Sequence, residues 1–587
     1  MYRGKAAYSA RVLLVTRAEG YTAQQLDDAV GHVITGFRLG VFDASVENAP
    51  GERTTHTLAV GLWVFALIAG LVSVLVANQA VARHVDGADS DHPALTALGF
   101  TRKQRMLGVM ATVIPAAAAA AIVAVLASYA ASSLMPVGIA RRVEPDPGLR
   151  FDPVAAGLGV LFVIATILLT AMIAAAAATR TRSPSHATST RVPRAAAVTP
   201  TSLGPVASTG IRLAFDRRSP ALPVRSTILA VAAALTVLVG ALTFGASLNH
   251  LEASPERWGY GWDLSLDTTP DQADAFVAEL DADPALDGVS LLRSNFTYMR
   301  AGGRTDGMLA YGIETRSGHV GYALVSGSQP VGVDEVVIGP ATARSLGLRI
   351  GSTLDVQTCP CTGDQAEPAM EQVRVVGISL FPEDDNGNFN NALGFSERGY
   401  AAHVDVTPDI HAIVSTAPAR DPRRVAQDLS KRFPDSVSAY SYPSRPGEVG
   451  TLASLRSFPT ALVAVAAVLG SAVLLNMLIA TRTRRRRELA TLWSLGLTSR
   501  ELRGCVAWQS VGIVAIALVL GTIAGLAAGG AVWIAATDGI GVATDVSRPV
   551  TAIVVWSCVA LAVAVVLGSL SGSRLRNIHL AGSLRQE

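Results

Sequence analysis

Seven apolar stretches, each long enough to cross a lipid bilayer, constrain this chain more than any other feature. A membrane helix needs about 20 consecutive apolar residues, and none of the seven has a charged residue or a histidine in its interior. Half of the 587 residues are hydrophobic and only 16% are charged, which disfavours a soluble protein with seven buried helices. The sequence therefore predicts an α-helical polytopic membrane protein. The stretches are Thr57–Ala82, Leu107–Met135, Pro153–Ala178, Thr227–Leu248, Phe458–Ala480, Cys505–Ala536 and Val550–Gly568.

Two segments between these stretches are near copies of each other, 397 positions apart. One reads LTALGFTRKQR from Leu95, and the other reads LWSLGLTSREL from Leu492. Each copy is preceded by one apolar stretch and followed by two more, so the chain is predicted to hold about seven transmembrane helices in two homologous units. In each copy a glycine is expected to end one helix, and a threonine two residues later is expected to cap the next.

Arginine-rich segments predict the orientation in the membrane, because positively charged loops stay in the cytoplasm. Residues 179–226, residues 481–504 and the tail after the last span are rich in arginine. The segment 249–456, rich in Asp and Glu, then lies outside as an inserted α/β extracytoplasmic domain. Its hydrophobic patterns predict helices at Thr269–Leu280, Ala341–Leu346 and Pro422–Phe433, and strands at Glu335–Ile338, Thr353–Gln357 and Gln372–Gly377, the last continuing to Leu380.

The N-terminal segment 1–56 is also predicted to lie outside, since the number of spans is odd. It contains no apolar export signal of the usual length. One explanation is that the first span guides insertion and the segment follows it. We favour the other, that the true start of the protein lies upstream.

Catalytic and metal-binding motifs are absent from the sequence. It has no phosphate-binding loop, no HExxH and no GxSxG pattern, so the chain is predicted not to be an enzyme and to bind no metal or cofactor. His84 and His92 flank an acidic stretch that is interpreted as a solvated loop. Cys359 and Cys361 could pair with each other or stay reactive. Ion-coupled transport is disfavoured because no ionisable residue lies inside a span.

The second duplicated segment resembles a known family. Residues 485–498 read RRRELATLWSLGLT, which resembles the coupling segment of FtsX-like permeases, the mechanotransmitting family of ABC-transporter permease subunits. The pattern from Val336 to Ile378 also resembles that family's periplasmic core domain. The resemblance implies a cytosolic ABC ATPase dimer that binds the ATP. It also implies contact with the lipid bilayer and with an extracytoplasmic partner protein or cargo, and no contact with nucleic acid.

The resemblance also implies which residues contact the ATPase. In the second copy they are Glu488, Leu489, Leu492, Leu495 and Gly496; in the first copy they are Leu95, Leu98 and Gly99. Four arginines before the second copy are expected to anchor at anionic lipid headgroups. These are Arg484, Arg485, Arg486 and Arg487.

A complete two-unit member of that family would have eight spans and two external domains, so the first span and most of the first external domain are expected to be missing. The chain is then a fragment, has a misassigned start, or is completed by another subunit. The predicted domains are a remnant of the first external domain (1–56), the first membrane unit (57–179, coupling segment 83–106), a basic cytoplasmic linker (180–226), a transmembrane helix (227–248), the external domain (249–456), the second membrane unit (457–573, coupling segment 481–504) and a cytoplasmic tail (574–587).

The expected function is a permease subunit that transmits ATP-driven motion to the external domain, for export or extraction of a lipid, lipoprotein, peptide or antibiotic. Two alternatives remain open at this point. One is a non-transporting signal transmitter that regulates a cell-wall hydrolase or an antibiotic response. The other is a membrane scaffold or receptor that has no motor. The predicted location is the cytoplasmic membrane.

Overall fold

The computed structural model describes residues 98–132, 148–149, 151–178, 204–215, 224–301, 304–357, 370–384, 387–404, 408–434, 439–454, 456–484, 496–538 and 540–573, with five helical residues between 70 and 81. The chain divides into two compact units, Met1–Val60 and Gly61–Glu587, and the described residues all belong to the second. Segment 1–56, most of the predicted span Thr57–Ala82, the tail 574–587, and His84, His92, Cys359 and Cys361 lie outside the described residues.

The membrane part before the external domain contains two paired helices, a short amphipathic helix and a long helix that leads outwards. The first two pack against each other. The short helix lies within the segment that the sequence analysis assigned to a basic linker. In chain order these helices are α1 (Arg102–Ser132), α2 (Pro153–Ala178), α3 (Pro205–Phe215) and α4 (Val224–Ala253).

The external domain follows α4 through a single 3-10 turn at Pro255–Trp258. Its described residues form ten strands in one mixed sheet, flanked by five helices. The elements are β1 (Leu264–Asp267), α5 (Ala273–Asp281), β2 (Leu286–Ala301), β3 (Arg304–Ser317), β4 (Ala323–Gly327), β5 (Glu335–Ile338), α6 (Pro340–Leu346), β6 (Thr353–Gln357), β7 (Met370–Leu380), β8 (Ala392–Ser396), α7 (Glu397–His403), β9 (Asp409–Thr416), α8 (Pro422–Arg432), β10 (Ala439–Ser441) and α9 (Gly447–Ser454).

The strand order is β10-β1-β9-β2-β3-β8-β5-β7-β4, with β6 pairing to both β2 and β7. The long antiparallel hairpin β2–β3 joins two lobes with separate cores. In one lobe, α5 and α8 cover β1, β2 and β9 with buried residues such as Phe276 and Leu429. In the other, α6 and α7 pack on β5, β6, β7 and β8 around Ile338 and Phe395.

Three membrane helices complete the described chain: α10 (Ser457–Arg484), α11 (Ser499–Asp538) and α12 (Val550–Ser573). Together with α1, α2 and α4, they are the six helices among the described residues that are long and apolar enough to cross a membrane. They correspond to six of the seven predicted spans. The remaining predicted span falls almost wholly outside the described residues, so that prediction stays open.

Several predicted elements of the external domain are confirmed. The strands Glu335–Ile338 and Thr353–Gln357 have the predicted bounds. The helix predicted from Thr269 begins four residues later, as α5. Thr269 precedes Pro270, which disfavours helical geometry at that residue. Instead, the Gln272 amide closes a turn on the Thr269 carbonyl at 3.1 Å.

Candidate functional site

The glycine in each duplicated segment has the same left-handed backbone conformation. Gly99 has φ +84° and Gly496 has φ +98°, the left-handed region that glycine adopts without a steric penalty. A glycine in this conformation is the usual residue just beyond a helix C-terminus. The residues immediately before Leu98 and before Gly496 lie outside the described residues, so the predicted helix end at each glycine stays a prediction.

A reciprocal capping box starts the helix after each glycine. The Thr498 hydroxyl accepts from the Glu501 amide at 3.3 Å, while the Glu501 carboxylate accepts from the Thr498 amide at 2.8 Å. In the first copy the Gln104 side-chain oxygen accepts from the Thr101 amide at 2.9 Å, and the Thr101 hydroxyl accepts from the Gln104 amide at 3.4 Å. Each pair satisfies amides that the first turn of a helix leaves without a backbone partner. The two segments thus share a conformation as well as a sequence.

The structure describes some of the predicted contact residues. Leu98, Gly99 and Gly496 are exposed and lie shortly before the helices α1 and α11, and Leu98 has 74% of its surface accessible. Arg484 is the last residue of α10. The remaining predicted residues lie outside the described residues, and their roles stay predictions. They are Leu95, Glu488, Leu489, Leu492, Leu495, Arg485, Arg486 and Arg487.

The second capping box starts a single helix of 40 residues, α11. At about 1.5 Å per residue, this helix is about 60 Å long. The hydrocarbon core of a bilayer is about 30 Å thick. A single helix therefore extends from the second coupling segment, through the membrane, to the opposite side.

Three glycines spaced four residues apart hold α11 against α4. A Cβ atom on Gly521 would lie 2.6 Å from the Leu235 Cβ, and one on Gly525 would lie 2.7 Å from the Val239 Cβ. At Gly529 the nearest atom would be the Gly240 carbonyl oxygen, at 2.7 Å. Small residues at this spacing let two membrane helices approach to backbone contact.

The register of this contact shows how the two helices run. Leu235, Val239 and Thr243 of α4 face the three glycines in turn, with the Thr243 Cβ 3.0 Å from a Cβ atom on Gly529. Steps of four residues therefore run in the same direction along both helices, so the helices are parallel. Hydroxyl groups on α4 are satisfied within their own helix. Thr236 donates to the Ala232 carbonyl at 2.8 Å, and Thr243 donates to the Val239 carbonyl at 2.8 Å. The interface therefore buries no unpaired hydroxyl at these two positions.

Helix α3 packs on the start of α11, close to the second coupling segment. A Cβ atom on Gly210 would lie 2.5 Å from the Cys505 carbonyl oxygen, and one on Gly504 would lie 2.7 Å from a Val206 methyl group. The Cys505 thiol donates to the Val206 carbonyl at 3.5 Å. Glycines on both helices thus bring α3 close to the first turns of α11.

The packing of these glycines and the helix α3 were not predicted from the sequence. The signal for the first was present, because Gly521, Gly525 and Gly529 form a GxxxGxxxG pattern inside an apolar stretch. The amphipathic pattern of Pro205–Phe215 was the signal for the second. Within the described residues, no group of three or more His, Cys, Asp or Glu side chains is arranged to hold a metal ion.

Comparison with known proteins identifies the membrane part. The family model described as "FtsX-like permease C-terminal" matches residues 63–182 and, a second time, residues 460–580. Two regions of the membrane part are thus similar to the FtsX-like permeases. Both matches contain one duplicated segment with its following helices. The chain is a multi-pass protein of the cell membrane with an extracytoplasmic domain.

Two solved structures are similar to about a third of the chain. The periplasmic region of MacB from Actinobacillus actinomycetemcomitans is 10% identical and covers 31% of this chain and 91% of its own, with a TM-score of 0.23. The extracellular domain of the noncanonic ABC-type transporter YknZ from Gram-positive bacteria is 13% identical and covers 31% of this chain and 98% of its own, with a TM-score of 0.21. None of the curated proteins compared matches the chain.

Proposed function

We propose that this chain is an FtsX-like permease of the ABC-transporter type, which transmits ATP-driven motion of a separate cytosolic ATPase dimer to its extracytoplasmic domain. The observation that carries the proposal is the length and packing of α11. This helix begins at the second capping box, spans the membrane, and packs through three glycines on α4. Helix α4 in turn leads into the external domain through a short turn. A displacement at the start of α11 would therefore be transmitted through α4 to the external domain.

The ATPase contact is proposed at the two coupling segments. In the second segment Glu488, Leu489, Leu492 and Leu495 precede Gly496, and Leu95, Leu98 and Gly99 are the counterparts in the first. An exposed leucine such as Leu98 is a suitable contact for a partner protein because burying it removes apolar surface from water. Arg484–Arg487 are proposed to lie at anionic headgroups, where each cation contributes about 1 kcal/mol.

The proposed cargo is a lipid, lipoprotein, peptide or antibiotic that the external domain moves or releases. Among the described residues of the membrane-spanning helices, the buried polar side chains are hydroxyls and one amide, Gln509, and none is a charged residue or a histidine. This favours an energy source outside the membrane over a coupling ion bound at membrane depth. ATP hydrolysis is assigned to the partner subunits, and this chain is proposed to bind no cofactor.

The test is a single substitution in the second coupling segment, with a conservative substitution at the same position as its control. The tagged chain is purified gently from its native membrane, and the retained ATPase is identified and assayed. We expect Leu492→Asp to abolish ATPase binding and stimulation while membrane insertion stays normal, because a carboxylate cannot be buried in an apolar contact without a partner. Leu492→Met should behave like the native chain. If ATPase binding and stimulation survive in Leu492→Asp, the contact assignment is wrong.

A further inference from the structure

The segment between α11 and α12 contacts the external domain at a buried asparagine. Asn390 lies just before β8 and is fully buried. Its side-chain amide donates to the Gly541 carbonyl at 3.1 Å, and its side-chain oxygen accepts from the Phe381 amide at 2.8 Å. The Asn390 side chain therefore bonds both to the segment between α11 and α12 and to the end of β7.

The backbone around Asn390 is held in an unusual conformation. Its φ is +58°, a left-handed value that asparagine tolerates better than most residues. Its own carbonyl oxygen packs against Gly339, where a Cβ atom would lie only 1.9 Å away. Such a conformation persists only where the surroundings determine it, and it often marks a functional position.

A second contact joins the external domain to the end of α11 itself. The Arg344 guanidinium, from α6, donates to the carbonyl oxygen of Asp538, the last residue of α11. The carbonyl end of a helix favours a cation because its last carbonyls have no backbone partner. Gly541 has φ +83°, and a Cβ atom there would lie 3.0 Å from an Arg344 nitrogen. The glycine therefore leaves room for the arginine.

The same segment also binds α4 and the turn that follows it. The Arg257 guanidinium lies 2.5 Å from the Asp545 carboxylate. The Ser547 amide donates to the Ser247 hydroxyl at 3.0 Å, and the Ala543 amide donates to the Arg257 carbonyl at 3.3 Å. Apolar contacts also join these parts of the chain. Residues from α4, α9, α11 and the external domain pack together in one buried cluster. The fully or largely buried members are Leu248, Leu251, Trp258, Phe389, Val449, Leu452, Trp533 and Val542.

We infer that Asp538 and residues 540–548, together named here the outer linker, are a second mechanical linkage between the membrane helices and the external domain. The covalent connections through α4 and α9 enter the domain at its chain ends. The outer linker instead attaches α11 directly to the lobe that contains α6 and β8, through Arg344 and Asn390. Asn390 is the positioning residue of this linkage. The inference rests on the proposed function, because it assigns a route for the motion that the ATPase supplies.

The first experiment measures whether the contacts hold the outer linker in the full-length chain. Amide hydrogen exchange is compared in lipid nanodiscs for the native chain, Asn390→Asp and Arg344→Ala. Asn390→Asp keeps the oxygen that accepts from Phe381 and removes the donor to Gly541, and Arg344→Ala alters an exposed side chain. We expect exchange at Ala543 and Ser547 to rise about tenfold in both variants. Unchanged exchange in both would overturn the linkage.

The matched control is the neighbouring asparagine. Asn391 accepts from the Thr342 hydroxyl at 2.9 Å, a contact entirely within the external domain. Asn391→Ala is therefore expected to leave exchange at Ala543 and Ser547 unchanged. An equal rise in this control would mean that any loosening of the lobe releases the outer linker, and it would overturn the specific role of Asn390.

The second experiment measures transmission, which a purely structural contact would not affect. Spin labels are placed at Ala402 in α7, which belongs to the lobe that the outer linker contacts, and at Thr551 in α12. The chain lacks its native cysteines and is in complex with the ATPase that co-purifies with it. The distance between the labels is compared without nucleotide and after trapping with ATP and vanadate. We expect a nucleotide-dependent shift in the native chain and in Asn391→Ala. Asn390→Asp and Arg344→Ala should lose at least half of that shift while hydrolysing ATP.

The outcomes separate the two claims. A full shift in Asn390→Asp and Arg344→Ala would overturn the linkage and leave the proposed function standing. A native chain without any shift would overturn the proposed function, and the transmission role of the outer linker with it. The exchange experiment would still decide whether the contacts exist in the membrane-embedded chain.

Discussion

The two membrane repeats begin alike and then differ. In each, a left-handed glycine and a threonine capping box start a long helix, with nearly equal hydrogen-bond lengths in the two copies. Helix α1 then runs for 31 residues and contains Pro115, whereas α11 runs for 40 residues without a proline. The residue of α11 that corresponds to Pro115 in the duplicated alignment is Gly512. The local signal for a helix start is therefore shared, while the body of the helix is not.

The glycines of the two repeats also differ in how closely they are packed. Gly521, Gly525 and Gly529 of α11 lie in backbone contact with α4. In the first repeat, a Cβ atom on Gly108 of α1 or on Gly157 of α2 would meet no atom within 4 Å in the described part of the chain. In the second repeat the shared coupling motif is thus followed by a long helix that packs closely on α4. Four predictions compare the two repeats and the part of the external domain next to the second one.

The largest effect is expected from placing the proline of the first repeat into the second. Gly512→Pro removes a backbone donor and clashes with the Trp508 carbonyl, which costs about 3 kcal/mol in a helix interior. We expect this variant to lower the thermal stability of the purified chain and to abolish stimulation of the ATPase. The reverse change, Pro115→Gly, should leave both close to the native values. Equal effects of the two changes would show that α1 and α11 carry the motion equally.

The next effect concerns the glycine contact. Gly525→Ala forces a methyl group against Val239 and is expected to cost about 1–3 kcal/mol, as overpacking does. Gly108→Ala has open space and should be neutral or slightly stabilising, because alanine is the better helix former. Thermal unfolding of both variants in one detergent measures the difference. A loss of stability in Gly108→Ala of the same size would contradict the assignment of packing to the second repeat.

A smaller and symmetric effect is expected at the two caps. Thr498→Ala and Thr101→Ala each remove one capping hydroxyl, a loss of about 1 kcal/mol, which corresponds to about fivefold faster exchange of first-turn amides. Hydrogen exchange at the amides of Glu501 and Gln104 tests this prediction. Glu501→Gln is the control, since the first copy already uses a glutamine there. A change at only one cap would mean that the two starts are not equivalent.

The smallest effect is expected where the external domain returns to the membrane in the second repeat. Burial raises the pKa of Glu448, in α9, and the nearby Glu383 carboxylate raises it further. A carboxyl group whose pKa is raised on folding stabilises the folded state at low pH, and that contribution is lost as the pH rises through its folded pKa. At pH 7 Glu448→Gln should therefore stabilise the chain, by less than about 1 kcal/mol after allowance for partial exposure.

The measurement is the unfolding midpoint at pH 7 and at pH 4. The gain from Glu448→Gln should be present at pH 7 and should disappear near pH 4, where the carboxyl group is largely protonated. Glu256→Gln, an exposed carboxylate of the 3-10 turn, is the control and should change little at either pH. A gain that persists at pH 4 would point to packing and not to charge.

The parts of the fold that could be predicted are those with a local cause. A strand with buried alternate residues, such as Glu335–Ile338, is encoded within four positions, and its bounds were predicted correctly. The starts of the helices at Thr101 and Thr498 are encoded within three or four positions for the same reason. The bodies of the membrane spans were predictable because apolar length alone determines them.

The predicted bounds failed where a helix continues beyond its apolar part. Helix α11 begins six residues before the predicted span because the capping box stabilises a polar first turn. Helix α4 continues to Ala253 because Leu251 and the Trp258 indole bury its last turn outside the membrane. Hydropathy predicts the part of a helix that lies in lipid. It does not predict how far the helix continues where it packs against other parts of the protein.

By itself, the sequence determined the membrane spans, their orientation, the repeat and the two helix caps, since each depends on composition or on residues a few positions apart. The tertiary structure decided which glycines are packed and which are free. It also decided that Asn390 meets Gly541, 151 residues further along the chain. The physical reason is that a glycine or a buried amide stabilises a contact only through the atoms that face it. For the three packed glycines of α11 and for the Asn390 side-chain nitrogen, those atoms come from residues more than a hundred positions away.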